Sequence, residues 1–222
     1  MDGFINESLE VFKSLPTPLL ETIYIVFIST VGAVILGVIP AILLLMTKKD
    51  GLKPNKAVFG ILDFIVNTLR SFPFVILITV LIPLTRFITG SSIGTNAVIV
   101  PLVIGAAPFV TRIIENALNE VDKGVVEAAR AFGANKRQVF SKVLFKEAVP
   151  ALISGLTLTI IVILGYSAMA GVVGGGGIGD YAIRYGYQRN NPIVLLYTVI
   201  SLVIIVQIIQ STGNYLYKKS IR

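Results

Sequence analysis

The sequence predicts an all-α, polytopic membrane protein with five transmembrane helices, the N-terminus outside, the C-terminus inside, and a charged helix pair between spans three and four. Three observations carry this. Hydrophobic residues make up 55% and charged residues 14% of the 222, against roughly 25% charged in a soluble domain. The apolar residues gather into five runs, each long enough to cross a ~30 Å hydrocarbon core. The cations behind the net charge of +7 are sorted by side. Lys48, Lys49, Lys53, Lys56, Lys123, Arg130, Lys136, Arg137, Lys142, Lys146, Lys218, Lys219 and Arg222 fall on one side, against Lys13, Arg86, Arg184 and Arg189 on the other. The positive-inside rule makes the richer side cytoplasmic, so the charge reports topology and not nucleic acid. The absence of Cys and His excludes thiolate and imidazole metal sites, Cys and His nucleophiles and His bases.

The elements follow in order within a single domain, 1–222. Residues 1–18 read as an outer surface segment: Ile5, Leu9 and Phe12 share one face, with Asp2, Glu7 and Glu10 elsewhere. That pattern fits a helix lying on the membrane and closed by Pro16 and Pro18; a frayed terminus fits it equally. Its acidic start is unlike a signal peptide. Residues 19–46 form the first span, with Glu21 at its outer edge and Gly32 and Gly37 as close-packing points. Residues 57–87 form a second span that is too long and is interrupted by Asn67, Thr68, Arg70 and Ser71 before Pro73, so it is expected to be broken or to protrude. Asp63, seven positions before Arg70 on the same side, is too far for simple pairing but able to share a network with it. Arg70 fits either a hydrated path or a snorkelling side chain beside a proline kink.

Residues 96–118 make the third span, containing Pro101, Gly105 and Pro108, with Arg112 and Glu115 near its inner end. Residues 121–148 then depart from the membrane pattern. Asp122 is an N-cap, and Val125, Ala129 and Phe132 lie on one helical face. Gly133 is the hinge, because it alone takes positive φ without cost. Asn135 and Gln138 have capping-box spacing, and Val139, Phe140, Val143 and Leu144 form a stripe opposite Lys136, Arg137 and Lys142. A lone amphipathic pair cannot bury its own stripe; it needs a groove in another protein.

Residues 151–173 form the fourth span, with a small-residue patch of Gly165, Ser167, Ala168, Ala170 and Gly171 where helices or two copies of the chain can approach. Met169, inside the patch, is either a flexible plug or core filler. Gly174 to Gly177 reads as a flexible outer turn, and no Gly-Lys-Ser/Thr follows to make it a phosphate loop. Asp180 and Arg184 have i, i+4 spacing, and with Tyr181, Tyr185 and Tyr187 they form either an external docking surface or an interfacial aromatic belt. Residues 192–215 are the fifth span, with Pro192 in its first turn.

Several strings resemble a known family. Glu127-Ala128-Ala129, Gly133-Ala134, Gln138 and Glu147-Ala148-x-Pro150 resemble the cytoplasmic coupling loop of ABC-importer permeases. Phe145-Lys146 stands where that family usually has Leu-Pro, so the second coupling helix is expected to run more smoothly toward the membrane. The Asn67-x-x-Arg70-Ser71-x-Pro73 string resembles amino-acid importer permeases. LRSFPFVIL, VIGAAPFVTRIIENAL and LGYSAMAGVVGGGGIGDYAIRYGY are similar to permeases of methionine ABC importers, and the similarity runs from about residue 20 onward.

The resemblance implies a homodimer in a bacterial cytoplasmic membrane, two cytoplasmic ATPase subunits, and an extracytoplasmic methionine-binding protein. It implies no catalytic residue and no metal on this chain, with ATP and Mg held by the partner. On that reading the ATPase-coupling residues are Glu127, Ala128, Ala129, Gly133 and Ala134. The path candidates are Arg70, Tyr166, Ser167 and Met169, and the docking candidates are Asp180, Tyr181, Arg184 and Tyr185. The alternatives are a permease for another small amino acid or zwitterion, an ion-driven secondary transporter, and an assembly scaffold. A secondary transporter usually shows internal repeats and intramembrane acids. No convincing repeat is found, and Asp63 and Glu115 lie nearer the inner ends. A membrane-embedded hydrolase lacks a recognisable nucleophile and base.

Overall fold

The frame of the molecule is its longest helical run. The structure, a computed structural model, describes residues 2–221; Met1, Arg222 and the side chains of Asp2, Phe4 and Lys136 lie outside the described part, with the expectations placed on them. Helix α1 (Asp2–Ser14) passes into α2 (Pro16–Thr47) through a helical Leu15. Backbone bonds bridge the junction, from the Leu15 amide to the Val11 carbonyl and from the Leu19 amide to the Leu15 carbonyl, each 3.1 Å. Pro16 and Pro18 therefore do not close the first helix. They fall in the first turn of α2, where a fixed φ suits the helix and a missing N–H costs least. The run from Ile5 to Thr47 is 43 residues, about 65 Å at 1.5 Å per residue, well beyond a ~30 Å core.

The protruding part of this run is packed. Val11 and Leu15 are buried with Ile178 and Val194. Asn191 Nδ2 donates to Glu7 Oε1 at 2.6 Å, and the hydroxyls of Ser14 and Tyr181 share a bond of 2.6 Å.

The second predicted span is three helices: α3 (Lys56–Ser71), α4 (Phe74–Val80) and α5 (Ile82–Thr89). Asn55 caps α3 by accepting from the amides of Ala57 and Val58, both at 3.1 Å. Pro73 forces Phe72 into an extended conformation, and the chain turns by 103° between α3 and α4. The break expected from the polar string before Pro73 thus becomes a sharp bend. With α6 (Thr95–Asn119), α10 (Val149–Ala170) and α12 (Pro192–Ser220), four helical runs among the described residues are long and apolar enough to cross a membrane, five if this bent pair counts as one span. Among the described residues there is no strand.

Helices α2, α6 and α10 enclose the core, and small residues let α2 and α6 approach. Ala33, Ala41 and Ala106 are wholly buried. A Cβ on Gly37 would stand 2.7 Å from the Ala107 carbonyl oxygen, and Thr111 Oγ1 donates to the Gly37 carbonyl at 3.0 Å. The same economy closes the end of α10. A Cβ on Gly171 would stand 2.3 Å from the Gly179 carbonyl carbon, so the small-residue patch is used within this chain to seat α11 (Gly177–Tyr181). Gly165, by contrast, meets nothing within 4 Å. The outward faces of α2 and α12, with Phe27, Ile35, Val199 and Val203 exposed, are what lipid requires.

Between α6 and α10 lie α7 (Lys123–Ala131), α8 (Lys136–Gln138), a stretch of i→i+5 helix over Val139–Leu144, and α9 (Phe145–Glu147). These segments, the loop carrying Lys48, Lys49 and Lys53, and the C-terminal end of α12 share one end of the molecule, here called the basic end. Lys48 Nζ donates to Asn119 Oδ1 at 2.5 Å and so ties the basic loop to the end of α6.

Candidate functional site

At the basic end the sequence specifies its own bends. Asp122 accepts from the Gly124 amide at 2.6 Å and starts α7. The helix ends in paired bonds: the Ala134 amide donates to the Ala129 carbonyl at 3.0 Å and the Gly133 amide to the Arg130 carbonyl at 2.9 Å, with Gly133 at φ 85. This is a Schellman terminus, which asks for a left-handed residue at the Gly133 position. Asn135 and Gln138 then exchange reciprocal bonds of 2.9 Å between side chain and amide, a capping box with Asn in the cap role. From Lys136 the chain stays helical through Ala170 apart from a turn at Ala148, in keeping with the missing Leu-Pro.

The two apolar stripes of this loop meet different fates. Val139 is buried, and Phe140, Leu144 and Phe145 pack against the core. On α7, Val125 is exposed and Phe132 is 92% exposed, with Glu127 and Ala128 exposed beside them. One helix of the pair is therefore rooted in the membrane domain, and the other presents an unburied aromatic ring. Beneath it a cavity of about 330 Å³ opens between the basic loop and the loop helices, lined by Lys48, Asp50, Glu127, Arg130 and Phe140.

Within the membrane region the structure brings two of the four path candidates together. Arg70, at the end of α3, and Tyr166, on α10, line one cavity of about 120 Å³ with Phe74, Gly105 and Phe109. Tyr166 stacks on Phe74 with ring centroids 4.4 Å apart and planes 3° from parallel. Ser167 is buried and donates to the Leu164 carbonyl of its own helix at 2.8 Å, and Met169, about one turn beyond Tyr166 near the end of α10, is half exposed. Neither lines that cavity.

The network expected between Asp63 and Arg70 does not form. Asp63 instead pairs with Arg112, whose Nη1 also donates to Glu115 Oε2 at 2.5 Å and whose Nη2 donates to Asn67 Oδ1 at 3.0 Å. Asn67 Nδ2 completes the group by donating to Asp63 Oδ2 at 3.2 Å. Seven residues of helix separate Asp63 from Arg70, about 10 Å, which side chains do not bridge easily, whereas α6 brings Arg112 directly alongside. This cluster was only partly visible in sequence. Arg112 and Glu115 show as an i, i+3 pair and Asp63 and Asn67 as an i, i+4 pair, but the packing of α3 on α6 joins them.

At the opposite end Asp180 and Arg184 form the expected pair at 2.8 Å, and Tyr181 packs on Tyr185 with centroids 5.0 Å apart. The Tyr181 hydroxyl is engaged by Ser14, while Arg184, Tyr185, Tyr187 and Arg189 remain exposed, Arg189 over the Tyr185 ring at 4.5 Å. The glycine turn is pinned where flexibility was expected. Glu21 Oε2 accepts from the Gly177 amide at 2.7 Å, Thr22 Oγ1 from the Ile178 amide at 2.8 Å, and the Gly174 carbonyl from the Gly94 amide at 2.9 Å. Glu21, read from sequence as an edge residue, is thus the clamp between α2 and α11. Among the described residues no cluster of acids fit for a metal ion occurs.

Comparison with known proteins agrees with this arrangement. The family model described as "Binding-protein-dependent transport system inner membrane component" matches residues 33–213. The probable D-methionine transport system permease protein MetI of Vibrio cholerae is 47% identical over 199 residues, covering 90% of this chain and 88% of that protein. The methionine import system permease protein MetP of Bacillus subtilis is 48% identical over 172 residues, 78% of each chain. A solved structure of the MetNI methionine ABC transporter in inward-facing conformations superposes with a TM-score of 0.87 at 42% identity, covering 91% of this chain and 94% of that one. With a family model spanning most of its length and relatives this similar, the chain belongs to the family of binding-protein-dependent transport system inner membrane components.

Proposed function

We propose that this chain is the permease subunit of an ATP-driven importer for methionine, working as a homodimer with two cytoplasmic ATPase subunits and an extracytoplasmic methionine-binding protein. The observation that carries the proposal is the projecting loop, where a Phe132 ring left exposed among the described residues stands beside a glycine-closed helix end. A large exposed aromatic ring among charges is the composition of an interface anchor. Similarity to MetI, MetP and the MetNI structure supports an ABC ATPase as the partner and methionine as the cargo. The basic end then faces the cytoplasm, with the N-terminus outside and the C-terminus inside, as the distribution of Lys and Arg favours.

On this reading Glu127, Ala128, Ala129, Gly133 and Ala134 hold the α7 surface that the ATPase grips. The near-continuous helix from Lys136 to Ala170 is the lever that carries its closure into the membrane. ATP and Mg are bound by the ATPase, and this chain performs no chemistry. Arg70 and Tyr166 line the path, Met169 meets the passing solute or the second copy, and Ser167 holds α10 in shape. Arg184 and Tyr185 face the binding protein, while Asp180 and Tyr181 position them.

The test is purification of the tagged chain from membranes in mild detergent, followed by ATPase assays with the methionine-binding protein. A stoichiometric ATPase whose turnover rises with the methionine-loaded receptor is the expected result. A chain that purifies without an ATPase overturns the reading.

A further inference from the structure

Arg70 stands out from every other cation because of its depth. Helix α3 starts at the basic loop with Lys56, so Arg70, fourteen residues on, stands about 21 Å along the helix from that end, a length comparable with much of a ~30 Å apolar layer. Gly105 lies a similar distance from the basic end of α6, and Tyr166 about 25 Å along α10 from Val149. Three helices therefore deliver the lining of the Arg70 cavity to one level, by the same rise per residue and independently of one another.

An arginine at that level does not face lipid; it faces a partner or water. Arg70 is exposed and, among the described residues, makes no ion pair. The acid on its own helical face, Asp63, is already held by Arg112 and Asn67. Arg70 is thus an uncompensated cation beside a rigid aromatic wall: Tyr166 and Phe74 stacked face to face, Phe109 next to them, and Gly105 letting Phe74 come close, since a Cβ there would meet its ring at 3.3 Å.

We infer that this cavity is a substrate half-site in which Arg70 receives the carboxylate of a zwitterionic amino acid and the Phe74–Tyr166–Phe109 wall receives its apolar side chain. The inference rests on the importer reading and adds to it how the path recognises its cargo. A planar guanidinium matches a carboxylate with two parallel N–H donors, and a thioether packs favourably on aromatic rings. Among the described residues no acid lines this cavity, and Asp63 and Glu115 are held by Arg112, so the site selects for the carboxylate and tolerates variation at the amine.

The chain has no cysteine, so Leu69→Cys, on the same cavity, supplies one reporter thiol per subunit in the assembled permease–ATPase complex without binding protein. A membrane-impermeant, charged methanethiosulfonate labels it faster than Ile35→Cys on the exposed face of α2, and millimolar methionine slows that labelling several-fold. 3-(Methylthio)propylamine, the same side chain without a carboxylate, does not protect. Protection disappears when Arg70→Gln is added and persists with Arg70→Lys. Equal protection by the amine, or protection that survives Arg70→Gln, overturns the carboxylate assignment. Labelling no faster than at Ile35→Cys overturns the hydrated cavity. Absence of a co-purifying ATPase overturns the importer reading itself, whereas an intact ATP-driven importer without Arg70-dependent protection overturns the half-site alone.

Discussion

Replacing Gly133 by valine isolates one physical quantity, the cost of a left-handed backbone. Gly133 sits at φ 85 in the Schellman terminus of α7, and a Cβ built on it meets nothing within 4 Å. The first carbon of the new side chain therefore meets no other element, and the main effect of the substitution is conformational. A left-handed conformation costs an L-residue roughly 1–2 kcal/mol, with β-branched side chains worst placed. Because 1–2 kcal/mol is a factor of about 5–30 in an equilibrium, the geometry in which Ala134 bonds to Ala129 is disfavoured by that factor relative to its alternatives. The loop is exposed at the basic end, so membrane insertion and yield stay unchanged. The assay is ATP-driven methionine uptake in proteoliposomes, with co-purified ATPase measured in parallel. Gly133→Val is expected to lose most uptake, and Gly133→Asn, a residue that tolerates positive φ, to keep it. Wild-type uptake by Gly133→Val refutes the hinge argument, and an Asn variant as impaired as the Val variant refutes its conformational basis.

Other outcomes follow from the same geometry. Phe132→Ala removes a ring that this chain does not bury, so the melting temperature of the isolated subunit stays constant. Its affinity for the ATPase falls by about 30-fold or more if the ring is an interface anchor worth at least ~2 kcal/mol, measured by titration of labelled ATPase. Glu127→Lys reverses an exposed charge on the same surface and reduces ATPase recovery in pull-downs, more at low salt than at high salt. Arg112→Met leaves Asp63 and Glu115 without their shared cation; because Asp63 is partly exposed and keeps Asn67 as a donor, the chain is destabilised by about 1–3 kcal/mol, visible as a lower melting temperature in detergent.

What the sequence revealed and what it hid divide along a physical line. Local signals were legible: the Asp122 cap, the Asn135/Gln138 box, the Gly133 terminus, the Asp180–Arg184 pair and the close-packing role of Gly37 all depend on neighbours in sequence or on residue size. Stop signals were misread where position within the helix mattered. Pro16 and Pro18 resemble helix breakers, yet in a first turn they start α2, and the preceding helix runs into it. The angle at Pro73 was hidden as well, because a proline announces a break and not the 103° that tertiary packing selects.

Long-range partners lay beyond periodicity. Glu21 clamps an amide 156 positions away, and Arg112 reaches across to Asp63 from a separate helix. Of the path candidates, Arg70 and Tyr166 share a cavity because α3 and α10 carry them to one depth, while Ser167, one residue past Tyr166, turns about 100° around the helix and into the core.

The most direct test of the central claim is uptake of labelled methionine into proteoliposomes that contain this chain, its ATPase and the binding protein, comparing ATP with an imposed proton or sodium gradient. Accumulation that requires ATP at the ATPase face and the receptor at the opposite face, and that ignores ionophores, is the predicted result. Accumulation by this chain alone on an ion gradient contradicts the account.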